Sequence, residues 1–343
     1  MAAIGIDTHK ATLAACAIDE LGRPIGEATF ANDPRGHAAF ITWARSMAPD
    51  ATVGIEGSSS FGAPLARSAQ LAGGRAVREV PPHLSRVERR RTRRPGKSDP
   101  GDALAIARVT AREANLPPIR LPDRSTELRL LLEAREDLVG EATRTRNRLH
   151  AHLLVLVPGY GGTVANLVAA CHRAKVAGLL RGNATVQAEL ARSLLVRLAR
   201  LEREIEVLKR RLGARVAGHP LLGLPGAGPI TVARLIAEVG DIRRFRSADA
   251  LAALAGVAPI PASSGQVQRM RLNRGGNRQL NRALYVIALS QSRFHPPAKA
   301  YVHRRMEADG KTWREAIRAL KRQLVRTVFR LLVEGSEVQQ AAA

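Results

Sequence analysis

Aromatic side chains make up only 3% of this 343-residue chain. Stacking of bases on Phe, Tyr and Trp platforms is therefore a poor main route to any nucleic-acid recognition, and the core must be aliphatic. Cysteine is nearly absent. Cys16 and Cys171 stand alone, in no metal-ligand spacing, which suits a reduced compartment and no disulfide framework. No apolar run approaches the length of a membrane span, and the N-terminus shows no signal-peptide pattern. The expectation is a cytoplasmic, nucleoid-associated protein with no membrane partner. A G-x-x-x-x-G-K-[ST] phosphate loop is missing, and no glycine-rich loop follows the first acid, Asp7. That argues against nucleotide hydrolysis of the actin-like or sugar-kinase kind. Acids are the scarce sign of charge: 30 Asp and Glu face 54 Lys and Arg, for a net charge of +24 and a pI near 11.5.

Such an excess, spread over the whole chain, points to nucleic acid, with an anionic membrane surface as the runner-up and a merely solvated basic surface as the bland alternative. With 45% hydrophobic residues the chain is no disordered polycation, and its length allows two or three domains. Short apolar runs predict strands at 2–7, 13–19 and 24–30, a helix at 34–47, a strand at 52–56, a helix at 63–71 and a strand at 75–80, where Pro81-Pro82 stops it. The order β-β-β-α-β-α-β is that of the α/β ribonuclease H-like (RuvC-like) fold, with the first strand central and the fourth beside it. Leucines at threes, fours and sevens then predict two long helices, 121–157 and 190–212, around a Pro158–Gly162 tip. They read as a coiled-coil arm or a packed helical subdomain. From 221 a mainly α region follows, with helices at 230–239, 248–254, 280–292 and 313–333. The expected domains are 1–115, 116–215 and 216–335, with a disordered tail at 336–343.

The organising stretch is Lys97-Ser98-Asp99-Pro100-Gly101-Asp102-Ala103. It sets two carboxylates three residues apart where an apolar-periodic helix begins. Alone they read as helix caps. In the predicted fold, however, Asp7 and Glu56 end two neighbouring strands and would meet them. Four hard carboxylates in one place suit Mg²⁺ or Mn²⁺, the ions that assist phosphodiester displacement. Lys10 and the charge run containing Arg89, Arg90, Arg91, Arg93, Arg94 and Lys97 lie close by in sequence, as expected for residues that contact nucleic acid.

The second half offers two further features. Leu224-Pro225-Gly226-Ala227-Gly228-Pro229 has the form of a helix-hairpin-helix, in which Gly226 and Gly228 would present backbone N–H groups to phosphate; an ordinary tight turn is the alternative. Ser263-Ser264-Gly265 precedes Arg269, Arg271, Arg274, Asn277, Arg278 and Arg282. No Gly-x-Ser-x-Gly elbow surrounds the serines, so an esterase triad is not indicated, and a plain loop remains open. Clustered guanidinium groups suit phosphoryl chemistry or simple phosphate docking.

Taken together, Ile4-Gly5-Ile6-Asp7, Gly54-Ile55-Glu56, the Lys97–Ala103 stretch, Leu224–Pro229, Gly256-Val257-Ala258-Pro259, Ser264-Gly265 and Arg274–Arg278 resemble an insertion-sequence transposase family. It is the family of the Piv-type DNA invertases and the bridge-RNA-guided recombinases, and the likeness runs in order through almost the whole chain. The resemblance implies a metal-binding DEDD domain with Asp7, Glu56, Asp99 and Asp102 as its acids. It implies a C-terminal domain whose Ser264, rather than Ser263, becomes covalently joined to DNA. It further implies tetramers assembled around a noncoding bridge RNA that pairs with target and donor DNA. A metal-dependent junction resolvase, which would not use Ser264, and a non-enzymatic DNA binder are the competing readings.

Overall fold

A computed structural model describes residues 2–58, 60–73, 76–91, 99–119, 123–261, 270–271 and 273–341. It divides into two units, Met1–Leu121 and Pro122–Ala343.

The first unit is a five-stranded mixed sheet. Its strands are β1 (Ala3–Thr8), β2 (Thr12–Ile18), β3 (Pro24–Ala31), β4 (Thr52–Ile55) and β5 (Val77–Glu79), in the order β3-β2-β1-β4-β5. β1 pairs antiparallel with β2 and parallel with β4, so it is central, as the element order predicts for a RuvC-like sheet. Alternation along each strand decides what each face carries. Ile4 and Ile6 of β1, with Val53 and Ile55 of β4, bury against α1 (Pro34–Met47) and α2 (Ala63–Leu71), around Phe40, Ala44 and Leu65. Ala3 faces the other way, toward Ala103, Leu104 and Ala107 of α4 (Asp99–Arg112). Gly5 and Gly54 share that second face and stand opposite each other in the β1/β4 register. A Cβ on Gly5 would lie 2.1 Å from the Ala107 backbone nitrogen, and one on Gly54 would lie 1.8 Å from Thr110 Oγ1. The two glycines thus let α4 press directly onto the sheet, closer than any side chain allows.

One helix departs from the sequence expectation. Pro81-Pro82 ends the strand, yet Pro82 opens α3 (Pro82–Arg91), where a missing N–H costs nothing. α3 packs on α4 through Leu84 and is tied to it by an ion pair, Arg112 Nη1 to Glu88 Oε2 at 2.6 Å.

Among the described residues, the second unit is helical apart from one short antiparallel strand pair, β6 (Ile260–Pro261) with β7 (Met270–Arg271). α5 (Arg124–Leu156) and α7 (Val186–Val216) pair along their length, sealed by Ala142, Leu198 and Leu201. Between them lies α6 (Ala170–Leu179) rather than a bare glycine-rich tip. Val176 and Leu180 close a small core there with Leu149, Leu153, Tyr160 and Ala188. Leu190, where the sequence pattern starts the second long helix, is exposed, whereas Ala188, Ala191, Leu195 and Leu198 are buried at that end and Leu201 and Leu212 farther along.

α8 (Pro229–Val239), α9 (Ala248–Leu254), α10 (Arg278–Phe294), α11 (Pro296–Glu307) and α12 (Trp313–Ala341) form the remaining core. α11 again opens on prolines and was not expected. α12 continues past Gly335 to Ala341, into the stretch expected as a tail. Gly335 is a contact point: a Cβ there would stand 2.4 Å from His219 Nε2. Among the described residues, no helix is long and apolar enough to cross a membrane.

Candidate active site

The face that receives α4 is also the face of Asp7, two residues beyond Gly5 on β1. Glu56 follows Gly54 by two and leaves β4 on the same side. Its backbone N–H donates to the Ile6 carbonyl at 3.2 Å, so the β1/β4 pairing continues up to the acids. Thr8 Oγ1 adds a second tie, donating to the Glu56 carbonyl at 2.9 Å. From above, the first turn of α4 delivers Asp99 and Asp102. An amide-rich helix start favours carboxylates, so the acids sit where the helix dipole stabilises them.

Electrostatics register the convergence. Burial pushes the Asp7 carboxyl above its ordinary value; His9 opposes this, and Asp102, Glu56 and Asp99 push it further up. Asp7 therefore feels the other three acids, as a carboxylate beside a cation position does. Asp102 is buried and pairs with Arg89 of α3, Nη1 to Oδ1 at 2.9 Å. Glu56 Oε2 is buried without a hydrogen-bond partner among the described residues. A buried carboxylate oxygen left unmatched is costly unless something else binds it. Oxygen donors of this kind fit a hard divalent cation. One group with metal-ligating potential is Asp7, His9 and Asp99, whose donor atoms lie within 4.8 Å of one another. Glu79, ending β5, adds a fifth carboxyl nearby: burial raises it, Glu56 raises it further, and the Ser58 backbone hydrogen bond lowers it.

Of the basic residues expected to contact nucleic acid, Lys10, Arg90 and Arg91 are exposed around this end of the first unit. Arg89 instead turns toward Asp102. Arg93, Arg94 and Lys97 lie outside the described residues. So do Ser263, Ser264 and Arg269 in the second unit. Arg271, Arg274, Arg278 and Arg282 are exposed there, and Arg282 Nη1 is 3.8 Å from Glu136 Oε1. Asn277 is occupied by the fold: its Oδ1 caps α10 by accepting from Leu280 N at 2.9 Å, and its Nδ2 donates to Glu238 Oε2 at 2.7 Å. Gly228 is the N-cap of α8, and Gly226 has φ of +83°. Gln291 Nε2 donates to the Pro225 carbonyl at 2.8 Å, holding that turn against α10.

His9 was missed as a site residue. In the sequence it appears only as the residue two after Asp7, in a tripeptide that rules out a phosphate loop.

The chain is similar in sequence to known families and proteins. Residues 4–158 match the transposase family DEDD_Tnp_IS110, and residues 218–303 match the Transposase IS116/IS110/IS902 family. A DEDD-type transposase domain points to the use of a divalent metal. The 43.6 kDa protein of insertion element IS110 from Streptomyces coelicolor is 30% identical over 292 residues, 70% of this chain and 71% of that protein. The 42 kDa protein of insertion element IS900 from Mycobacterium paratuberculosis is 27% identical over 382 aligned positions, 96% of this chain and 94% of its own. The pilin gene-inverting protein of Moraxella lacunata is 27% identical over 330, with 94% and 92% covered.

Proposed function

The chain belongs to the IS116/IS110/IS902 family of transposases, enzymes that cut and rejoin DNA, and from that premise we propose that it recombines DNA through a phosphoserine on Ser264. The reading gives the two halves separate tasks. Asp7, Glu56, Asp99 and Asp102 would hold Mg²⁺ or Mn²⁺. When bound, the ion supplies charge stabilisation at a phosphoryl group and makes a hydroxyl a better nucleophile.

Ser264 Oγ then attacks the phosphorus of the scissile phosphodiester. The O–P bond to serine forms, the bond to the 3′ oxygen breaks, and the serine proton ends on the departing 3′ hydroxyl. In the reverse sense, the 3′ hydroxyl of another strand attacks the phosphoserine, restores the phosphodiester and returns the proton to Ser264. The bond energy is conserved on the protein, which accords with the lack of any recognised nucleotide-binding loop. The exposed arginines Arg271, Arg274, Arg278 and Arg282 would dock phosphates, as would the basic residues around α3. A noncoding bridge RNA would pair with target and donor DNA, and a homotetramer would bring four copies of each site together. The α5/α7 pair would serve as the dimerising arm, with 1–115, 116–215 and 216–335 as the functional divisions.

The observation that supports the enzymatic reading is that Asp7 lies within electrostatic reach of Glu56, Asp99 and Asp102, with a buried Glu56 oxygen left unpaired. The test is a denaturing gel after incubation with element ends, the flanking RNA and divalent metal. Wild type is expected to give a protein–DNA adduct. Ser264→Ala loses the adduct and strand exchange but still binds DNA, while Ser263→Ala retains both. Asp102→Ala loses cleavage. Recombination by Ser264→Ala at the wild-type rate would overturn the serine mechanism, and cleavage without exchange would favour a hydrolytic resolvase.

A further inference from the structure

We propose that His9 is a nitrogen ligand of the divalent ion, sharing it with Asp7 and Asp99. The inference rests on the metal-site reading above and extends it to a side chain outside the four acids.

Three observations carry it. His9 Nε2 lies 3.2 Å from Asp7 Oδ2 and 3.3 Å from Asp99 Oδ1. Cis ligands of an octahedral ion with bonds near 2.1 Å stand about 3 Å apart, so His9 Nε2 already holds that spacing to one oxygen of each carboxylate, and all three donor atoms lie within 4.8 Å of one another. Second, Nε2 is closed off from solvent and has no hydrogen bond among the described residues, although the ring is partly exposed. It touches two carboxylate oxygens without hydrogen-bonding to either, which is the relation of neighbouring ligands rather than of donor and acceptor.

Third, the turn that carries the imidazole is fixed from behind. His9 N–H donates to the Thr12 carbonyl at 2.9 Å. Asn32 Nδ2 donates to the His9 carbonyl at 2.8 Å and to the Phe61 carbonyl at 2.9 Å. The buried His37 Nε2 meets Asn32 Oδ1 at 2.8 Å; burial lowers the His37 pKa, so its ring is neutral and donates there. These bonds fix the main chain of the turn, and with it the position from which the imidazole projects. The β1–β2 turn otherwise needs no such support, since the strands it joins already pair throughout.

A nitrogen donor changes which ion is favoured. Imidazole suits first-row transition metals, whereas Mg²⁺ prefers oxygen alone. The site should therefore discriminate for Mn²⁺ over Mg²⁺ more than four carboxylates would.

The test uses full-length protein with one equivalent of Mn²⁺, read by electron spin-echo envelope modulation and by isothermal titration. Wild type is expected to show directly coordinated ¹⁴N. His9→Ala loses that modulation, and its Mn²⁺ affinity falls by roughly tenfold or more, with a smaller fall for Mg²⁺. His9→Gln, which keeps the side-chain bulk, gives the same loss, and far-UV circular dichroism checks that both variants fold. Bound Mn²⁺ without ¹⁴N modulation in wild type overturns the proposal while leaving the four-acid site intact. Modulation that survives in both variants overturns it too, because the nitrogen then comes from elsewhere. Failure of wild type to bind Mn²⁺ at all removes this proposal together with the metal-site reading.

Discussion

Replacing Gly54 by alanine asks whether the close seat of α4 on the sheet is what positions the acids. The new Cβ would stand 1.8 Å from Thr110 Oγ1, 3.0 Å from Thr110 Cβ and 2.9 Å from Val80 Cγ2. Thr110 Oγ1 cannot swing freely, because it is buried and donates to the Ile106 carbonyl at 2.8 Å. Overpacking of this kind costs roughly 1–3 kcal/mol, and the 1.8 Å contact places Gly54→Ala at the upper end, about 3 kcal/mol. Thr110→Ala alone should cost about 1 kcal/mol through its lost hydrogen bond. The double variant removes the worst clash and leaves contacts near 3 Å that small shifts can relieve. It should therefore be more stable than the sum of the two by about 1–2 kcal/mol. Gly5→Ala offers no such rescue, since its Cβ would meet the backbone of Ala107 and Ala103 at 2.1 and 2.3 Å. There α4 must retreat by about 1.3 Å to reach ordinary contact near 3.4 Å, carrying Asp99 and Asp102 with it. Urea unfolding of wild type and the four variants gives the stabilities, and Mn²⁺ titration of the folded variants gives the effect on the site. Gly5→Ala should weaken Mn²⁺ binding by roughly tenfold or more even where it folds. Additive Gly54 and Thr110 effects, or a stable Gly5→Ala with wild-type metal affinity, would refute the reasoning.

Acid should loosen the second unit through His219, whose burial depresses its pKa from 6.5 to about 4. Its unfolded ring takes a proton that the folded ring refuses, so stability is full above pH 6.5 and falls as the pH drops through about 4. The loss reaches roughly 3 kcal/mol, and His219→Gln should flatten that part of the curve in urea unfolding between pH 4 and 8. Arg89→Gln leaves the buried Asp102 carboxylate without its ion pair, at a cost of about 2 kcal/mol in metal-free protein. Mn²⁺ should then raise the melting temperature of Arg89→Gln more than that of wild type in differential scanning calorimetry. An equal rise in both would mean that Arg89 and the ion do not compete for Asp102.

Much of the candidate site was legible in the chain because it is written in local repetition. Gly5-Ile6-Asp7 and Gly54-Ile55-Glu56 repeat one pattern of close approach, core and acid, and strand alternation alone sends each acid to the face of its glycine. The start of α4 was legible too, since an acid pair three apart before an apolar-periodic run is a helix-start signal. What failed were positions where one residue type has two local meanings. Pro82 and Pro296 end a strand or open a helix equally well, so α3 and α11 were not expected. Gly335 resembles a helix end but serves a contact with His219 inside a continuing helix.

The sequence by itself determined the strand order, the basic character and the four acids, because period, turn chemistry and charge act between near neighbours. Tertiary structure alone decided which groups those acids meet. Arg89 reaches Asp102 only once α3 packs on α4, and His9 comes between Asp7 and Asp99 only once the β1–β2 turn and the α4 start share an edge. Those pairs are joined across the sheet by packing of α4 on two glycines. No spacing along the chain encodes a distance set by that contact.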